Sequence, residues 1–239
     1  MDRNIRDNRR NFLAKTGLVS GALLVAGTGL ATPVVGQAEK DQGDKDRGVS
    51  PAEDLMREHG ALNRLLLIYD EELRRIENKQ HVEIAILAGA ADIIRRFVED
   101  YHEKLEEDYL FPRFRKADKL VPLVDTLLQQ HQAGRRLTEQ IRTLAVEATL
   151  KDETKRRQLS AALRWFLRMY RPHEAREDTV LFPAFREIVS PHEYDALGEQ
   201  FEKKEDELFG EDGFFKVVDQ IAGLEKRLGI YDLSQFSPR

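Results

Sequence analysis

The sequence predicts an all-α protein: an up-down-up-down four-helix bundle with additional C-terminal helices. Three observations carry that expectation. Of 239 residues only 15 are Gly and 8 are Pro, while 34% are charged, a composition of long solvated helices rather than strands. Apolar residues recur at spacings of three and four along four long stretches, which places each set on one side of a 3.6-residue period. The breaks between those stretches are short and polar, and short connections join antiparallel neighbours.

Residues 1–38 stand apart from the bundle. "NRRNFLAKTG" pairs Arg9 with Arg10 ahead of Phe12, Leu13 and Lys15, and a Gly/Ala/Leu/Val stretch runs from Gly17 to Ala31. This resembles a twin-arginine export signal, cut near Ala38, and implies a protein carried folded across a membrane to the periplasm or cell exterior. The alternative is an uncleaved N-terminal anchor, but the stretch is short and weakly apolar for a stable span. Residues 39–50, "EKDQGDKDRGVS", are charged and lack apolar periodicity, so they read as a flexible tether.

The bundle occupies residues 51–189. Ser50 and Pro51 open the first helix, and Glu53 completes a capping box. Its stripe is Leu55, His59, Leu62, Leu66, Tyr69 and Leu73. The second helix carries Ile86, Ala90, Ile94, Val98, His102, Leu105 and Tyr109. The third carries Val124, Leu127, His131, Thr138, Ile141 and Ala145, and the fourth Leu159, Leu163, Phe166, Tyr170, His173, Glu177 and Leu181. "IENKQH", "KADK" and "LKDET" are the joining breaks. Residues 190–239 add a fifth helix capped by Ser190, Pro191 and Glu193, then an amphipathic piece with Phe214, Val218, Ile221, Leu224 and Leu228. These last helices are expected to pack on the bundle or on a second subunit.

Composition also excludes. There is no cysteine, so thiolate zinc sites, iron–sulfur clusters, catalytic cysteines and disulfides are ruled out, and any metal must be held by imidazole and carboxylate. Residues 1–38 hold five of the 38 basic and two of the 43 acidic side chains, so the remainder carries a formal charge of −8. With no basic stripe, nucleic acid is not an expected partner.

The chain repeats itself. "HEKLEEDYLFPRF" at His102 and "HEAREDTVLFPAF" at His173 match at His, Glu, Glu, Leu, Phe, Pro and Phe, 71 residues apart. "HGALNRL" at His59 resembles "HQAGRRL" at His131, 72 residues on. The bundle is therefore two copies of one helical hairpin. At 1.5 Å per residue, His59 and His102 each lie roughly 27–30 Å from the turn that joins their helices, and the second hairpin gives nearly the same figures. Across the middle turn, His102 and His131 are each about 18 Å away. All four histidines thus stand at one level, with Glu106 and Glu177 one helical turn from His102 and His173 on the same faces. Six polar ligands at one height in an apolar core need metal ions to offset the cost of burying them. Two histidines and a carboxylate per half suit Fe(II), though zinc or a single ion is compatible with the same donors.

On these residues, positions 50–190 resemble the hemerythrin-type, or HHE cation-binding, domain. The resemblance implies a non-haem di-iron centre in which Glu106 and Glu177 bridge two irons and His59, His102, His131 and His173 cap them. The repeated "LFP" is similar to the family as well. Oxygen-carrying members have a second histidine four residues after the third-helix one, where this chain has Arg135, and they space the last histidine and carboxylate by five residues. The departure implies a less saturated centre that binds or senses oxygen, or reacts with peroxide or nitric oxide, rather than a reversible carrier. Glu103, Glu139 and Tyr109 are further candidates for ligands or outer groups. The competing reading is a structural or partner-binding helical protein with a zinc, mononuclear or degenerate metal site; under either reading the chain is compatible with a homo-oligomer. His81 and His192 lie off the common level and are expected at the surface; Trp165 and Phe166 are expected in the core, and Pro112, Pro172 and Pro183 at kinks or helix ends.

Overall fold

The computed structural model describes residues 49–238; the expected export signal and most of the tether lie outside the described residues. The predicted all-α architecture is the observed one, with no strand among the described residues. Helix α1 spans Pro51–Glu77, α2 residues 84–116, α3 Val121–Leu144, a one-turn α4 Glu147–Lys151, α5 residues 153–188, α6 Pro191–Phe209 and α7 Gly213–Leu228. Ser50 Oγ accepts from the Glu53 N–H at 3.3 Å and Ser190 Oγ from Glu193 at 3.2 Å, the two caps read from sequence. Asp152 does the same for α5, accepting from the Thr154 and Lys155 N–H groups.

The four stripes face inward. Every named stripe residue is buried except Tyr109, which is half-buried. α3 packs along α5 and α1 along α5, while α2 lies against α1 and α3. Phe114 and Phe185, equivalent positions of the repeat, meet 6.0 Å apart between centroids and close the core below the histidines. Each fully buried aromatic of this kind contributes roughly 1.5–3 kcal/mol. The C-terminal helices cover the bundle of their own chain: α7 packs on α1 and α2, and Phe209 meets Phe97 edge-on with Phe214 tilted beside it.

Three details depart from expectation. The third helix ends at Leu144, and α4 fills the connection that the sequence suggested was a simple break. Trp165 is 61% exposed, whereas Phe166 is buried as expected. Consecutive residues on a helix point about 100° apart, and only Phe166 falls on the stripe. The prolines do not end their helices. Pro112 and Pro183 follow π-helical turns, Glu106–Leu110 and Glu177–Leu181, and Pro172 sits inside α5. A proline has no N–H and its ring crowds the carbonyl four residues back. A widened turn, in which Phe111 N–H reaches Glu106 O and Phe182 N–H reaches Glu177 O, keeps the helix continuous. A longer π stretch, Ile94–His102, has no proline behind it and no counterpart in the second hairpin.

Candidate metal centre

The six residues singled out by the repeat meet in the core. His59, His102 and Glu106 form one group and His131, His173 and Glu177 another, each with its ligand atoms within 4.8 Å of one another. All six side chains are nearly inaccessible to solvent. His59 Nε2 and His102 Nε2 face each other at 3.1 Å. The carboxylates lie between the two histidine pairs. Glu106 Oε1 is 3.8 Å from His102 Nε2, and its Oε2 is 3.3 Å from His131 Nε2. Glu177 Oε2 lies 3.4 Å from His59 Nε2 and 3.1 Å from His173 Nε2, with Oε1 4.0 Å from His131. Each carboxylate thus faces a histidine of both hairpins.

The donors converge without satisfying one another. Both oxygens of Glu106, both of Glu177 and His131 Nε2 make no hydrogen bond among the described residues. An unpaired buried carboxylate costs several kcal/mol. Burial and the charge of Glu177 push Glu106 well above the usual carboxylate range. Burial pushes Glu177 the same way, but His173 and His59 outweigh it and hold Glu177 well below. Two such groups in one dry space stay ionised together only beside positive charge. Burial also keeps His102 well below its ordinary value and His131 down to about 4, so both are neutral, the form that ligates metals. For His59 burial again lowers, yet Asp178 and Glu177 raise it to about 10. The donor set fits divalent cations.

The other ring nitrogens are held from outside. His102 Nδ1 bonds Glu58 at 2.7 Å, His59 Nδ1 bonds Asp178 at 2.7 Å, His131 Nδ1 bonds Glu107 at 3.1 Å and His173 Nδ1 bonds Gln130 at 2.9 Å. Such contacts fix the tautomer and turn Nε2 inward. None of the four partners was singled out by the sequence reading, yet each is the chain neighbour of a candidate ligand. Glu58 and Gln130 precede His59 and His131; Glu107 and Asp178 follow Glu106 and Glu177. The repeat also explains "LFP": Phe111 stacks on His131 and Phe182 on His59, each with centroids 5.5 Å apart.

The remaining candidates separate. Glu103 touches the centre's outer layer, accepting from Tyr170 Oη at 2.7 Å and pairing with Arg135 at 2.7 Å. Arg135 also reaches Glu107 at 2.8 Å, so the guanidinium is tied to two carboxylates. Glu139 is 63% exposed and pairs with Arg95 and Arg142, so it is not at the centre. Eight residues after His131, it is rotated roughly 80° around α3 from that ring, far enough to face solvent. Tyr109 packs on Phe201 of α6 instead. His81 and His192 are exposed, as expected.

The hemerythrin HHE cation-binding domain family matches residues 50–185, with a second, overlapping match over 123–209. The chain belongs to that family. A second match displaced by one hairpin is what an internally repeated cation-binding fold produces. Uncharacterized proteins of Mycobacterium bovis and of two strains of Mycobacterium tuberculosis are 43% identical over 231 residues, covering 96% of this chain and 91% of each relative. No solved structure matches.

Proposed function

We propose that this hemerythrin-like chain is an exported protein whose centre holds two non-haem irons and binds or senses oxygen, or reacts with peroxide or nitric oxide. What supports two ions rather than one is that Glu106 and Glu177 each face histidines of both hairpins while all four of their oxygens lack a hydrogen-bond partner among the described residues. On this reading His59 and His102 serve one ion, His131 and His173 the other, and the two carboxylates are shared. Iron supplies one-electron redox chemistry there; the protein supplies imidazole and carboxylate donors, fixed tautomers and a dry enclosure.

Arg135 argues for turnover over carriage. It occupies the third-helix place one turn after His131 and is spoken for by Glu103 and Glu107, so it adds a positive charge beside the site in place of a ligand. Reaction is tested by reducing the iron-loaded protein anaerobically and mixing it with oxygen, hydrogen peroxide or nitric oxide under visible spectroscopy. The expected outcome is rapid oxidation by at least one of them. An oxygen adduct stable for hours would return the protein to the carriers, and spectral silence toward all three would remove the redox reading.

Export rests on the paired Arg9 and Arg10 and the apolar run behind them. Among the described residues no helix is long and apolar enough to cross a membrane.

A further inference from the structure

Next to the His/Glu centre lies a second group of acids that the repeat does not generate. Asp54 and Glu58 stand on successive turns of α1, and Glu205 comes across from α6. One carboxylate oxygen from each falls within 4.8 Å of the others. Glu58 and Glu205 are each only 1% exposed, whereas Asp54 is half-buried and opens the group to solvent. Three carboxyls this close repel one another when ionised.

An acidic group alone proves little, but Glu58 adds an independent observation. Its Oε2 is occupied by His102 Nδ1 at 2.7 Å, while Oε1, fully buried, has no hydrogen-bond partner among the described residues. The phenol of Tyr101, also buried, stands among the same acids: burial and the charges of Glu58, Glu205 and Asp54 keep it from ionising. Arg57 Nη1 lies 3.4 Å from Asp54 Oδ1 at the solvent edge, and Glu205 Oε1 accepts the Phe214 N–H at 2.8 Å.

We infer that Asp54, Glu58 and Glu205 form a third cation site, distinct from the two-ion centre and joined to it through Glu58 and His102. The donors are all oxygen, with no imidazole, which selects hard divalent ions such as Mn(II), Mg(II) or Ca(II) over zinc or copper. Because Glu58 also holds His102, an ion here draws charge from the group that orients a ligand of the centre. The site goes beyond the iron reading and stands on different atoms.

The test loads the full chain anaerobically with two equivalents of iron, then titrates Mn(II) while following free ion by electron paramagnetic resonance. One Mn(II) per chain is expected beyond the iron, with affinity falling at least about tenfold in Glu205→Gln and in Asp54→Asn while iron content is unchanged. No Mn(II) uptake by the wild-type chain overturns the inference, since the buried acids would then share protons instead. Uptake that neither substitution weakens also overturns it. Asp54 is half-buried, so its variant serves if Glu205→Gln misfolds. Failure of the iron reading shows separately, as absent iron with Mn(II) uptake still sensitive to both substitutions.

Discussion

Glu58 lies directly before His59 in the chain, yet it holds a different histidine: its carboxylate bonds His102 Nδ1 at 2.7 Å. In the second hairpin Gln130, directly before His131, holds His173 Nδ1 at 2.9 Å. The duplication therefore copies the supporting layer along with the inner six residues, but exchanges a carboxyl for an amide. The two halves of the centre are alike in geometry and unlike in charge.

The shared geometry sets a first prediction. Glu58→Ala and Gln130→Ala should each weaken iron binding about 10–100-fold, because the histidine loses its fixed tautomer and orientation. Competition with a chelator measures this. Wild-type affinity in both variants would mean that the histidines need no outer support.

Replacing His102 and His173 together by Ala should abolish iron binding and keep the helical fold. The aromatic and aliphatic stripes that bury the core do not depend on these two rings. Iron analysis alongside circular dichroism decides it; undiminished iron in the double variant would sink the assignment of ligands.

Gly134 of α3 faces Tyr170, where an added Cβ would come within 2.0 Å of the phenol oxygen and 2.8 Å of the ring. Alanine normally gains about 1 kcal/mol over glycine inside a helix. Here the clash and the loss of the Tyr170–Glu103 bond should win, for a net loss of about 1–3 kcal/mol. The penalty should shrink when Tyr170→Leu is also present. Chemical denaturation of the four proteins of that cycle checks the coupling, and additive effects would disprove the contact.

The contribution of Glu72 to the stability of the metal-free protein should be lost as pH rises from 4.5 to 7. Glu72 is fully buried on α1, and burial pushes its carboxyl from 4.5 up to about 7. The folded chain keeps a proton that the unfolded chain gives up, so its contribution is present below pH 4.5 and lost as pH rises through 7. Glu72→Met should reduce the stability difference between pH 5 and pH 8 by up to about 3 kcal/mol. An unchanged pH profile in that variant would place the carboxyl in contact with water.

Much of this was legible in the sequence because helices repeat every 3.6 residues and duplication supplies an internal control. The stripes through His59, His102, His131 and His173 gave the inward faces, and turn counting gave their common level. The supporting layer was less legible. Glu58, Glu107, Gln130 and Asp178 look like ordinary polar helix residues, and only three-dimensional crossing between hairpins shows what they touch. Glu139 misled because its acidic side chain lies near His131 in sequence but on the outer face of α3. The π turns were hidden for another reason. Pro112 and Pro183 mark a break in ordinary helical bonding, but packing on both sides decides whether the helix bends, ends or widens.

The export proposal has its own check. Lysine at both Arg9 and Arg10 should retain the full-length chain inside the cell, whereas the wild-type protein should be recovered outside the cytoplasmic membrane and shortened near Ala38. Unaltered fractionation of the double variant would point to another route or to none.

The most direct test of the central claim is the metal content of the purified protein, by elemental analysis of samples prepared with and without air. Two irons per chain are expected, bound between the four histidines and shared by Glu106 and Glu177. A single iron, zinc in its place, or no metal after reconstitution would contradict the di-iron centre.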